Sequence, residues 1–400
     1  MIRRGMDFLL APGPTHVPDR VLRAMNRPAV ELSRPDFVAT ARSCFEDLRR
    51  VFRTSGRVFV YACNGHGAWE AAIVNTLSAG DRVLVPGTGH FSNGWGQMAQ
   101  ALGVEVEFLP TDWRRALDIG ALEARLRGDR DRSIKAVLAV QTDTATGITS
   151  DIPAVRAALD AADHPALLLV DATASLGTVD LRMDDWRVDV TVSASQKGLM
   201  SPPGLGFTAV GERALALGRD AGMPRTYWNW YGRDVTESYR WFCGTAPEHL
   251  VWALRESLDM LLEEGLDAAF ARHQRLADAV RAGVAQWARA GVVDFNAVVP
   301  AERSNSVTTV RLADGHDATA VRTLCSERFS VSLGGGLGDL GGKAFRIAHM
   351  GDVNEPTLLG GLGVVEAALD LLGIPHEKGA VSAAIASLNA GEDAVRAAAE

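Results

Sequence analysis

Cysteine is scarce in this chain: four residues in four hundred, Cys44, Cys63, Cys243 and Cys325, scattered without a paired spacing. That scatter signals neither a disulfide framework nor a zinc module, and a reducing compartment suits it. Long basic runs are missing and the formal net charge is −8, which argues against nucleic acid as a partner. Long apolar runs are missing as well. The N-terminal MIRRGMDFLLAPGPT has two arginines but only a short apolar stretch before Pro12, too short for a signal peptide or a membrane span. Histidines show no paired helical spacing, so no metal is expected. Internal repeats and low-complexity linkers are absent too. A cytoplasmic protein that engages neither membrane nor nucleic acid is the expectation.

What is present reads as an ordinary globular chain, 47% hydrophobic and 22% charged, long enough for a large and a smaller folding unit. Short β-rich apolar runs recur at 58–61, 82–85, 104–109, 135–140, 166–170, 189–193 and 206–210, separated by helical patterns. Such alternation predicts an α/β fold, a parallel or mixed sheet with helices on both faces. Ligands bind at the carboxyl ends of strands in sheets of this kind. From about 256 to 290 the leucines and other apolar residues keep helical spacing with a break at Gly265, which predicts a linking helix. Runs at 292–295, 306–312 and 344–347 predict strands of a smaller α/β unit, and the Ala-rich tail from 379 to 400 predicts a weakly amphipathic helix.

The most informative stretch is VTVSASQKGLMSPPGLGF. It places Lys197 after a strand and before a Gly/Pro-rich turn, where rigid backbone restricts the side chain enough for it to form a Schiff base. One strand earlier, the run ALLLV ends in Asp171, an acid at a strand tip. An acid there and a lysine one strand later can grip opposite sides of a pyridine ring. On residue chemistry alone the same pair reads equally well as a helix N-cap and a solvated surface lysine.

The order of motifs goes further. LAPGPTHVPDRVLRAM, NGHGAWEAAIVNTL, QTDTATGITSDI, LLLVDATASLG, SASQKGLMSPPGLGF and GGKAFRIAHMGDVNE follow one another across almost the whole chain. In this the chain resembles the class V aminotransferases of the type I pyridoxal-phosphate fold, most closely the serine–glyoxylate and alanine–glyoxylate group. The resemblance implies a mostly parallel central sheet with helices on both faces plus a smaller C-terminal α/β domain. It implies residues 1–20 as an N-terminal segment contributing to the active site and small domain, 21–275 as a large cofactor-binding domain, and 276–400 as the small domain. It also implies pyridoxal 5'-phosphate as cofactor, a homodimer, and transfer of an amino group from a small amino acid, serine or alanine, to glyoxylate or another small 2-oxo acid. Rivals on the same fold are a pyridoxamine–pyruvate-type transaminase, an aspartate–glyoxylate transaminase and a lyase.

Carried over residue by residue, the resemblance makes Lys197 the Schiff-base lysine and Asp171 the partner of the pyridine nitrogen. Gly65, His66 and Gly67 would open a helix whose N-terminal N–H groups receive the phosphate, although on its own NGHG is just as well a glycine-rich turn. Phe91 would stack on the ring, with Trp95 competing and core packing awaiting the loser. Thr144 would reach the phenolic oxygen unless it merely caps a turn. Thr173 would touch the ring and Gln196 the phosphate. Arg346 would fork the substrate carboxylate, an ordinary ion pair being the alternative, and Gly13 would add a backbone donor nearby. Thr245 would cross to a neighbouring subunit's phosphate, and the Arg34 loop would lie near the site. Trp228, Trp230 and Trp241 would wall the entrance or pack in a dimer. Departures from the family pattern fall at Asn64 (often Ser), Asp143 (often Glu), Ser33 (often His), and Gly244 and Ala246 around Thr245.

Other motif readings fail on single residues. A Ser-x-x-Lys hydrolase needs serine where Ala194 stands. A P-loop ending at Lys343 needs glycine at Leu337 and a hydroxyl at Ala344. A dinucleotide loop over GTGHFS needs glycine at Ser92.

Overall fold

A computed structural model of the chain describes residues 5–399. A seven-stranded sheet runs in the order Arg57–Ala62, Leu205–Val210, Val190–Ala194, Leu167–Asp171, Ile134–Val140, Arg82–Pro86 and Glu105–Leu109. Every strand points the same way except Leu205–Val210, which is antiparallel to both neighbours. The central strands Leu167–Asp171, Val190–Ala194 and Leu205–Val210 are buried at every position. Their near-continuous apolar sequence follows from that, because both faces of the sheet are covered.

Alternate residues feed different cores. Val137, Ala139, Leu168 and Val170 pack on one face with helix Pro35–Phe52 residues such as Leu48 and Phe52. Ala136, Leu138, Leu167 and Leu169 pack on the other with Trp69, Ile73 and Trp95. The two-residue period of a strand sends neighbours to opposite sides, and here both sides are protein.

Most strand boundaries differ by one residue from the sequence expectation, and two of these shifts involve acids. Asp171 is the last residue of its strand, not the residue beyond it. Asp189 lies outside Val190–Ala194, and its carboxylate accepts from the Leu168 N–H (2.7 Å) and pairs with Arg213.

A second, five-stranded sheet takes the order Phe8–Leu10, Val331–Gly335, Ala344–Ala348, Val307–Leu312, Val293–Phe295. The strands Phe8–Leu10 and Val331–Gly335 were not legible in the sequence. One is three residues long and the other ends in glycines, so neither offers an apolar period. They pair parallel, which brings the N-terminal segment to the edge of this sheet.

Helices Glu248–Glu264 and Leu266–Ala288 meet at Gly265, whose φ of 85° ends the first. Along the second, Ala269 packs in the core beneath the large sheet, while Leu276, Val280 and Trp287 pack in the core of the small one. Helix Ala380–Ala399 closes that second core through Ala380, Ala384 and Leu388. Among the described residues no helix is long and apolar enough to cross a membrane.

Candidate active site

The carboxyl ends of the large sheet's strands surround a cavity of about 270 Å³. Of the residues named from sequence, Gly13, Gly65, His66, Phe91, Thr144, Asp171, Thr173, Gln196 and Lys197 all line it. Gly67, Arg346 and Thr245 do not.

One wall is the start of helix Gly65–Thr76, which follows the strand Arg57–Ala62 after a two-residue turn. Asn64 caps it: the side-chain oxygen accepts from the N–H groups of His66 (3.1 Å) and Gly67 (3.4 Å). The Ser-to-Asn departure therefore gives the helix an acceptor at the place where an anion would also draw on those donors. Gly67 is glycine for a packing reason, because a Cβ there would meet the Cys63 side chain at 2.7 Å and the Trp228 ring at 2.9 Å.

Asp171, the last residue of its strand, lines the cavity. It is 3% exposed; Oδ1 accepts from the Thr173 N–H (2.7 Å) and Oδ2 from the indole N–H of Trp69 (3.0 Å). Burial pushes its carboxyl above the ordinary value, opposed by those donors and by the charge of Lys197. Trp69 lines the same cavity and sequence reasoning missed it. Its position one turn after Gly65, on the helix whose first turn faces the cavity, was the available signal.

Part of the lining is aromatic. Phe91 borders the cavity, edge-on to Trp69 with ring centroids 6.4 Å apart. Trp95 instead is fully buried and stacked on Trp69 within the core. Asp143 holds Phe91 in place: its Oδ2 accepts from the N–H groups of Phe91 (2.9 Å) and Ser92 (3.2 Å), capping helix His90–Ala101 from outside, and its Oδ1 accepts from Ala145 (3.0 Å). The acid at this departure thus serves the backbone. Its carboxyl is raised by burial against those same hydrogen bonds. Thr142, not singled out from sequence, joins Thr144 on the wall.

Lys197 enters from the loop after Val190–Ala194. Its amine donates to the carbonyl of Pro12, and a Cβ on Gly13 would collide with it. Thr15 fixes the loop from the same side, donating its N–H to Gln196 O (3.0 Å) and its hydroxyl to Lys197 O (3.1 Å). Burial, and after it the positive charge of Arg346, lower the Lys197 amine to about 8 from 10.5. A lowered amine holds a larger unprotonated fraction near neutral pH, the form that acts as nucleophile or takes a proton.

Arg346 is 7% exposed and sits behind Thr144. Nε donates to Gly335 O (2.7 Å) and Nη1 to Thr144 O (3.0 Å), leaving Nη2 without a partner among the described residues. Burial lowers the guanidinium to about 10, against the attraction of Asp143.

The remaining candidates lie elsewhere. Thr245 is exposed, after Gly244 at φ 126°. Arg34 is exposed and paired with Asp36 (2.7 Å). Trp230 is fully buried with its indole on Tyr61 (2.7 Å), Trp228 donates to Glu70 (3.0 Å), and Trp241 donates to Val235 O (2.9 Å).

The sequence pattern described as aminotransferase class V matches residues 8–338. The chain belongs to the class V aminotransferases. A serine–glyoxylate aminotransferase of Methylorubrum extorquens is 40% identical over 391 residues, covering 96% of each chain. An L-aspartate–glyoxylate aminotransferase of Paracoccus denitrificans is 38% identical, covering 94% of each. Among solved structures, pyridoxamine–pyruvate aminotransferase from Mesorhizobium loti superposes with a TM-score of 0.87 at 27% identity, covering 98% of this chain and 99% of that one.

Class V aminotransferases use pyridoxal phosphate, and this cavity suits it. Two buried polar atoms on the cavity's residues, the Thr173 hydroxyl and Gln196 Oε1, have no hydrogen-bond partner. With a buried acid to accept from a ring N–H, a buried amine and an aromatic side chain beside them, the lining is matched to a charged heteroaromatic ring.

Proposed function

We propose that this class V aminotransferase moves the amino group of a small neutral amino acid, serine or alanine, to glyoxylate. The observation that carries the reading is Lys197 and Asp171 lining one cavity, with Arg346 bonded to the carbonyl of Thr144, another residue of its wall. The relatives that act on glyoxylate, matched over nearly the full length of both chains, support the acceptor.

In this reading the first turn of helix Gly65–Thr76, with Gly65, His66, Gly67 and Gln196, holds the phosphate; Phe91 and Thr173 face the ring; and Thr144 reaches the phenolic oxygen. When bound, pyridoxal phosphate supplies an electron-withdrawing ring that carries the amino group between the two substrates. Asp171 accepts a hydrogen bond from the protonated ring nitrogen and keeps the proton there. Arg346 binds the substrate carboxylate through its free Nη2, with a backbone donor from the Gly13 loop, so that the Cα–H faces Lys197. Lys197, with its lowered basicity, takes that proton and returns it.

A dicarboxylate donor would call for a second cation at the far end of the substrate. Arg34 is paired outside the cavity, Arg225 is enclosed by the carbonyls of Ala221, Gly218 and Val74, and Arg240 is exposed beside Glu237. Aspartate remains the rival because a relative of nearly equal similarity is an aspartate–glyoxylate enzyme.

The working unit in this reading is a homodimer in which exposed Thr245 and the Arg34 loop complete the neighbouring site, and the enzyme is cytoplasmic. The division into residues 1–20, 21–275 and 276–400 is part of it, supported by the change of core between Ala269 and Leu276.

Single-turnover bleaching of the bound cofactor's visible band by a panel of amino acids tests the donor. Serine and alanine should bleach it fastest, and Arg346→Ala should slow both. Faster bleaching by aspartate would reassign the donor while leaving the aminotransferase in place.

A further inference from the structure

We propose that Trp69 is a positioning residue for Asp171, the indole N–H fixing the carboxylate and keeping it anionic so that it can hold a proton on the cofactor ring. The proposal rests on the reading of Asp171 as the ring nitrogen's partner.

Asp171 lacks the usual supports of a carboxylate charge. It is 3% exposed, so water cannot stabilise its charge, and no arginine lines the cavity among the described residues. Two hydrogen bonds of good geometry hold it, the Thr173 N–H on Oδ1 and the Trp69 indole on Oδ2, and the neighbouring Thr173 hydroxyl and the charge of Lys197 also favour its anionic form. The first is local backbone that any residue at position 173 other than proline would supply. The second depends on one side chain, reaching across from a different element. A carboxylate has about four acceptor sites, so one donor on each oxygen leaves room for a ring N–H. It also fixes the plane in which that room lies.

Trp69 is itself locked. It stacks on Trp95 at 6.0 Å and 19°, meets His66 at 4.5 Å, and is 3% exposed. It also belongs to the helix whose first turn faces the cavity, one turn beyond Gly65, a rise of about 6 Å. One rigid helix therefore presents backbone donors at its start and the indole donor to the acid one turn later. The two ends of the cofactor site are held in register by a single element.

Trp69→Phe removes the N–H and keeps the aromatic body. In the holoenzyme, the visible band of cofactor bound to Lys197 is titrated with pH. A less anionic Asp171 leaves the ring less electron-withdrawing, so the titration midpoint should rise by about one unit or more, the scale of one lost hydrogen bond to a charge. Trp95→Phe is the control for packing, since the Trp95 N–H has no partner. Its midpoint should stay at the wild-type value. In an Asp171→Asn background, Trp69→Phe should add no further shift. An unmoved midpoint in Trp69→Phe, an equal shift in Trp95→Phe, or the same shift in the Asp171→Asn background overturns the proposal. Carbon-13 NMR of the Asp171 carboxyl in cofactor-free protein asks the same question without cofactor retention. The carboxyl should titrate at higher pH in Trp69→Phe, and identical titration in both proteins overturns the proposal. A wild-type protein that forms no visible band at all would instead sink the cofactor reading on which this one stands.

Discussion

The amine of Lys197 donates to the carbonyl of Pro12, and the next residue, Gly13, leaves the space in which that amine sits. The N-terminal segment, which begins as an edge strand of the small sheet, therefore shapes the reactive group of the large one. Gly13 has a φ of 114°, so a side chain is disfavoured there by backbone and by contact alike. Gly13→Ala should displace Lys197 and cut turnover by about a hundredfold, the scale of an ångström-sized misplacement of a catalytic group. Steady-state kinetics beside a thermal melt check this; a variant with full activity would mean that the loop yields freely.

Asp171→Asn keeps the shape and removes the charge. The chemical step should fall far more than cofactor affinity, because the part proposed for the acid is electronic. Single-turnover rates and cofactor dissociation constants separate the two, and a variant that merely loses cofactor at unchanged turnover would make Asp171 an anchor.

Much of this site was legible because its residues sit at the carboxyl ends of strands whose apolar runs are unambiguous. Asp171, Thr144 and Lys197 each follow or end such a run. What was not legible came from side chains meeting across elements. The Trp69 indole on Asp171 and the Asp143 carboxylate on the N–H groups of Phe91 and Ser92 join segments far apart in the chain. No local period encodes them. Phe8–Leu10 was invisible for a related reason: a three-residue edge strand is defined by its partner Val331–Leu333, not by its own pattern.

Stability should depend on pH through two buried histidines. His273 and His349 are lowered by burial to about 4 and about 3, from 6.5. Each accepts or donates within the core, His273 taking the Gly351 N–H (3.0 Å) and His349 bonding Thr308 (3.0 Å). The unfolded chain binds both protons below pH 6.5 and the folded one does not. Their stabilising effect is therefore complete above 6.5 and is lost as pH falls toward 4, at up to about 2.7 kcal/mol per pH unit for two protons. Urea unfolding at pH 7.5 and 5 measures it, and His349→Gln should make the loss shallower. An unchanged slope in that variant would remove His349 from the account.

In the proposed homodimer Thr245→Ala should weaken cofactor retention, although Thr245 lies outside its own protomer's cavity. Sedimentation at assay concentration should give a dimer for wild type and variant. A fully active monomer would contradict the arrangement.

The free amine of Lys197 should react with pyridoxal phosphate in a pH-dependent way, the rate rising through about 8 and not through 10.5. Stopped-flow absorbance of cofactor-free protein checks it. A rate still climbing steeply above pH 9 would place the amine in ordinary solvent.

The most direct test of the whole account uses the chain's shortage of lysine. Besides Lys197 there are Lys135, Lys343 and Lys378, all exposed. Borohydride reduction of the cofactor-loaded protein, followed by peptide mass spectrometry, should put the pyridoxyl group on Lys197 alone, and Lys197→Ala should carry none while keeping its melting temperature. A pyridoxyl group on Lys135, Lys343 or Lys378, or an active Lys197→Ala, would contradict it.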